Sequence, residues 1–217
     1  MDQFFDKIFQ WDTLYMVLAY LITVTLHELA HGLVAYKLGD PTAKQSGRLS
    51  LNPLRHIDPI GLLMLIFFRF GWAKPVQVDM RYFKKPHRDF ALTGLAGPVM
   101  NFLLALFFAL LLKLGFALQI PSGVFYDLLM CLIMVSVSLG IFNLLPIPPL
   151  DGSKVMGLVL PDRIYYRILP YERYGMIVLI LLLQWQPFLN ALMFVDFHVL
   201  RFLDERIILW MLGMPIA

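Results

Sequence analysis

Four long apolar runs, residues 13–38, 91–118, 124–146 and 174–195, constrain this chain more than any other feature. Each is long enough to cross a bilayer, which takes about 20 apolar residues as a helix. Inside hydrocarbon every backbone N–H and C=O must be paired within the protein, so runs of this kind fold as helices. Composition agrees. Charged residues are 15% of the 217 and hydrophobic residues 59%, whereas a water-soluble surface calls for roughly 25% charge. The expectation is an all-α polytopic membrane protein, one integral-membrane domain over residues 1–217 with no sizeable soluble appendage.

The termini and the charge pattern set a topology. Asp2, Asp6 and Asp12 stand against Lys7 in the first dozen residues, so the opening segment reads as a retained helix rather than a basic signal peptide. The single cysteine, Cys131, excludes an intrachain disulfide. Basic residues gather at Lys37–Arg55, Arg69–Arg88 and Lys154–Arg173, and the positive-inside rule makes all three stretches cytoplasmic. The uncharged loop Gln119–Gly123 and the N-terminus then lie outside. With both its ends inside, the stretch 44–74 cannot cross once. It is expected to dip in and return, as a re-entrant loop or short β-hairpin with a strand at Arg48–Asn52. Gly39-Asp40-Pro41, Asn52-Pro53 and Asp58-Pro59 supply its turns.

Within the first run lies His27-Glu28-Leu29-Ala30-His31. Residues four apart share a helical face, so both imidazoles can reach one Zn²⁺, and the glutamate beside the first ligand can act as general base. Ionisable groups inside a membrane helix are costly, which argues against a chance pattern. Catalytic zinc takes three protein ligands and keeps one position open. Asp151 is the best third ligand, in Asn143-Leu-Leu-Pro146-Ile-Pro148-Pro149-Leu-Asp151-Gly152. Its prolines end the third helix, and Gly152 permits a sharp turn, freeing the carboxylate to be aimed sideways. Alone, that pattern is an ordinary turn; beside the histidines it becomes a ligand. Depth agrees as well. At 1.5 Å per residue the histidines lie roughly 9–15 Å from the cytoplasmic end of their helix, and Asp151 just beyond the cytoplasmic end of the third.

His27-Glu-Leu-Ala-His31, then Gly97-Pro-Val-Met-Asn101, then Asn143-x-x-Pro146-x-x-x-x-Asp151-Gly152 together resemble the site-2 protease family of intramembrane zinc metalloproteases. The resemblance covers about residues 12–160, the family's three-helix catalytic core, with further C-terminal helices at about 172–213. It implies one Zn²⁺ per chain held by His27, His31 and Asp151, water activated by Glu28, and substrate or oxyanion binding by Asn143. Asn101 matches a polar family position on the middle helix, and its own context fits interhelical hydrogen bonding equally well. The resemblance further implies a multi-pass protein of a prokaryotic cytoplasmic membrane, and single-span membrane proteins as substrates. It is to the compact branch, so neither a PDZ nor a CBS domain is expected.

Other residues read more plainly. His56 and Asp58 are better explained by turn roles than by a water path. His87 and His198 look interfacial, as do the aromatics at 67–72 and 165–174. Arg81, Lys84, Lys85 and Arg88 fit an anchor on anionic lipid. Residues 174–195 are expected to form a fourth span interrupted near Gln184–Pro187, and residues 197–213, with four charges close together, an interfacial helix. Two rival functions remain at this stage. A zinc transporter would use the histidines and the aspartate but leaves Glu28 without purpose; an inactive scaffold needs none of the four. No nucleic-acid motif is present, and oligomeric state is not legible.

Overall fold

The computed structural model describes residues 11–68, 71–160 and 172–203. Its frame is three long helices, α1 (Trp11–Leu38), α4 (Pro86–Ala117) and α5 (Gly123–Asn143), which pack against one another. All three are long and apolar enough to cross a membrane, over Thr13–Leu38, Pro86–Ala117 and Gly123–Asn143. Their outer faces carry Leu14, Leu18, Leu103, Phe107, Met130 and Met134 exposed. A water-facing bundle would put charge there, so these faces suit hydrocarbon.

The inner faces are built from small and hydroxylic residues. Ala19, Ala105 and Ala109 are buried together with Leu129, Leu132 and Val137. Small side chains let helices approach closely where lipid tails provide no hydrophobic drive. Thr23 of α1 and Ser136 of α5, both buried, share a hydrogen bond of 3.2 Å across the seam. Pro86 opens α4 at a position that needs no N–H, which starts the helix ahead of the apolar run that begins at 91.

Between α1 and α4 the chain forms α2 (Thr42–Gln45), a 3-10 turn at Pro53–Arg55, α3 (Pro59–Phe68) and an extended return that reaches a second 3-10 turn at Met80–Tyr82. The strand expected at Arg48–Asn52 does not form. Among the described residues the pairing here is one antiparallel bridge, Ile57 with Ala73. Side chains have taken the backbone partners that a ladder would need. Arg48 donates to the carbonyl of Arg55, and His56 Nε2 bonds the Ser50 carbonyl at 2.8 Å. Asn52 caps the 3-10 turn through Leu54 N–H, and Asp58 Oδ1 accepts from the N–H groups of Ile60 and Gly61. His56 and Asp58 therefore hold turns. The segment still runs out and back, since Lys74 N–H donates to the His56 carbonyl at 2.9 Å.

After α5 the chain turns into α6 (Asp151–Val159), and later into α7 (Glu172–Gln184) and α8 (Gln186–Phe202). The span expected over 174–195, interrupted near Gln184–Pro187, forms two helices that break at Trp185 and meet at 85°. Pro187 lies in the first turn of α8, where a missing N–H costs nothing, so the break falls at Trp185. The helix assigned to 197–213 begins instead at Gln186, and the part of that assignment beyond 203 lies outside the described residues.

Candidate metal centre

α1 presents His27 and His31 inward, buried, with rings in edge-to-face contact at 4.6 Å between centroids. α4 makes room for them at Gly97. A Cβ at that position would lie 2.4 Å from His31 Nε2 and 2.6 Å from His27 Nε2. The third group arrives from α6. Asp151 begins that helix rather than trailing from α5, and Gly152 serves close approach: a Cβ there would lie 2.2 Å from the Leu144 carbonyl oxygen. This contact folds the start of α6 onto the end of α5.

The three groups converge. Asp151 Oδ2 stands 3.1 Å from His27 Nε2 and 3.0 Å from His31 Nε2, and the two nitrogens are 3.0 Å apart. Atoms bound to one tetrahedral zinc at its usual bond lengths would be about 3.3 Å from each other. Hydrogen-bond logic tests the fit separately. His31 Nδ1 lies 2.6 Å from the Thr93 carbonyl, which can only accept, so Nδ1 carries the proton. In the neutral ring Nε2 then presents a lone pair to the carboxylate and to the second imidazole. A proton on His27 would relieve one of these contacts; a divalent cation at their common centre relieves all three. The residues fit a metal, and the Thr93 carbonyl sets the ligating tautomer in the usual way.

Asp151 is also held from behind. Lys154, one helical turn on, donates to Oδ1 at 2.7 Å and leaves Oδ2 facing the rings. Burial opposes the carboxylate's charge, and the Lys154 ammonium on Oδ1 offsets that cost.

Glu28, buried next to the first histidine, is outside the converging set of three. Its Oε2 accepts a hydrogen bond from the Val76 backbone N–H at 2.8 Å, so the extended return segment is fastened over α1 at this residue. Asn143 closes α5, with Nδ2 donating to the Leu139 carbonyl of its own helix at 2.9 Å. Asn101 is fully buried against Gly140 of α5, and neither atom of its amide has a protein partner. Interhelical hydrogen bonding is therefore not what it does here. Val76, Thr93 and Lys154 escaped the sequence reading. Two of them act through backbone atoms, which leave no residue-type signal; Lys154 could have been found from its i+3 spacing to Asp151.

Comparison with known proteins agrees with this geometry. Residues 118–183 match the model of peptidase family M50. The chain is 40% identical over 173 residues to "Putative zinc metalloprotease YwhC" of Bacillus subtilis, covering 77% of this chain and 79% of that one. The chain belongs to peptidase family M50. This is the site-2 protease family that the three motifs resemble. A more distant relative, "Putative zinc metalloprotease Rip2" of Mycolicibacterium smegmatis, is 31% identical over 77% of this chain and 66% of its own length. "Zinc metalloprotease MJ0392" of Methanocaldococcus jannaschii is 27% identical over 72% of this chain and 37% of its own. No solved structure matches at a significant level. Family membership and three spanning-length helices make the M50 chain a membrane protein.

Proposed function

We propose that this M50 protein is an intramembrane zinc endopeptidase that cleaves transmembrane segments of single-span membrane proteins. The observation that carries the proposal is the meeting of His27 Nε2, His31 Nε2 and Asp151 Oδ2 within 3.1 Å, buried among helices of spanning length. These residues would hold one Zn²⁺ per chain. Zinc so held supplies Lewis acidity, polarising a peptide carbonyl and making water easier to deprotonate.

The remaining work falls to the chain. Glu28 takes the proton from the attacking water on its carboxylate and passes it to the leaving nitrogen. Val76 N–H fixes one carboxylate oxygen and so orients the other. Asn143 leaves its own helix end to donate to the developing oxyanion, a contact of the kind that stabilises acyl-transfer transition states. Asn101, with both amide atoms unpartnered, is assigned to substrate contact. Hydrolysis needs an extended peptide, and the return segment 71–79 offers backbone edges along which an unwound substrate can lie. The orientation that fits the basic clusters puts the N-terminus outside and the site near the cytoplasmic side of a prokaryotic cytoplasmic membrane.

The test is Glu28→Gln in purified protein with measured zinc content. Zinc is expected to stay and cleavage of a single-span substrate to stop, and membranes carrying this variant should accumulate single-span fragments. Continued proteolysis at full zinc would remove Glu28 as the base. Zinc flux into vesicles with no peptide cleavage by the unmodified protein would replace the protease reading with transport.

A further inference from the structure

A cavity of about 290 Å³ lies among α1, α3, α5 and α8. Its walls include Tyr20, Leu65, Val135, Leu139, Leu192 and Asp196. Three observations mark it as more than a packing gap. The first is its place. Tyr20 precedes His27 by seven residues on α1, about 10 Å along the helix axis. On α5, Leu139 carries the carbonyl that Asn143 bonds. An extended peptide advances about 3.3 Å per residue, so the cavity lies about three residues from a bond held at the metal centre.

The second is a carboxylate where apolar residues would be expected. Asp196 sits in the apolar helix α8 and accepts a hydrogen bond of 2.8 Å from Ser138 of α5. An ionisable group in a helix of this kind is expensive and marks a functional region. The third is how the outer wall is attached. α8 meets the core chiefly through α5, by the Asp196–Ser138 bond and by Leu192, Val199, Leu200 and Leu203 against Ala105, Val137 and Ile141. That wall is held less extensively than α1, α4 and α5 hold one another.

We infer that this cavity is a specificity pocket that takes one bulky apolar side chain of the substrate, about three residues from the scissile bond. An apolar cavity of roughly 150 Å³ is enough to hold benzene, so the observed volume admits a leucine, phenylalanine or tryptophan side chain. Ser138 and Asp196 act as positioning residues, holding α8 as the wall against which that side chain packs. The inference rests on the protease reading and names a determinant of its specificity.

Two experiments test it, one with hydrolysis and one without. In the first, a single-span peptide is varied one position at a time among Ala, Leu and Trp and offered to the zinc-loaded protein. A bulky residue near the third position from the cut is expected to raise kcat/KM at least ~10-fold over Ala. Leu192→Trp and, independently, Val135→Phe fill the pocket. Each should abolish that preference, so that kcat/KM for the Leu and Trp peptides falls to the value for the Ala peptide. A preference that survives in a folded filling variant, or no preference at any position, overturns the inference. In the second, Glu28→Gln protein receives the same peptide with a benzophenone side chain at that position. Crosslinking to residues 135–139 or 192–196 is expected, and crosslinks confined to other helices overturn the pocket. Crosslinking into the pocket together with no cleavage by the unmodified protein supports the pocket and sinks the protease reading alone.

Discussion

The metal corner and the α7–α8 pair sit at opposite extremes of how tightly a membrane fold can be specified. At the corner, three helices meet on buried polar atoms, and each approach is fixed by a named contact: Gly97 behind the rings, the Thr93 carbonyl on His31, Lys154 on Asp151. Along α7, by contrast, Met176, Ile177, Val178, Ile180 and Leu181 are exposed, and among the described side chains Leu179 is the large one that is buried. Lipid tails are as apolar as leucine, so such a surface gains little from packing in one arrangement rather than another. Chemistry is placed where geometry is over-determined, and yielding is left to elements whose neighbours are interchangeable.

The sharpest way to break this contrast is at Gly97. Gly97→Ala should improve the local helix propensity and yet drive a methyl group into both imidazoles. Zinc affinity should fall ~100-fold or more, the upper range for losing a ligand's support, with helicity by circular dichroism unchanged. Full zinc occupancy in that variant would show the rings to be free to move, and the corner to be no tighter than the periphery. Next in size is Lys154→Met. Asp151 Oδ1 would lose its ammonium partner, and zinc affinity should fall ~10-fold or more, with Lys154→Arg restoring part of it. Competition with a fluorescent chelator measures both. Val76→Pro removes the N–H on Glu28 and leaves the ligands untouched. Turnover should drop about tenfold at constant zinc, a fraction of what general-base catalysis contributes as a whole.

The same contrast explains what could be read in advance. His27, His31 and Asp151 announce themselves because few residue types ligate zinc, and a helix allows few spacings. The helices at 13–38, 91–118 and 124–146 were legible because a bilayer demands their length; their observed limits differ where polar residues extend α4 back to Pro86 and where the proline run ends α5 at Asn143. The stretch from Gly39 to Asp79 was legible as turns but not as a hairpin. Alternation at Arg48–Asn52 suggests a strand, yet the Arg48 and His56 side chains claim the carbonyls of that stretch and of Arg55. Gln184, Gln186 and Pro187 mark an interruption in the sequence, but nothing in their pattern sets the 85° angle at which the two helices meet.

The smallest expected effect probes the loose end directly. Ser138→Ala deletes the hydrogen bond to Asp196 without touching α1 or α4. Interhelical hydrogen bonds of this kind are worth about 0.6 kcal/mol on average in a membrane protein. The amides of α8 should therefore exchange with deuterium about threefold faster. Amides around His27 and His31 should keep their rates, and zinc content should not change, because Thr23–Ser136 and the ligand contacts remain in place. Slower exchange in α8, or faster exchange that spreads to α1, would mean that the wall and the metal corner open together, and that the division between a rigid centre and a yielding margin lies elsewhere in the molecule.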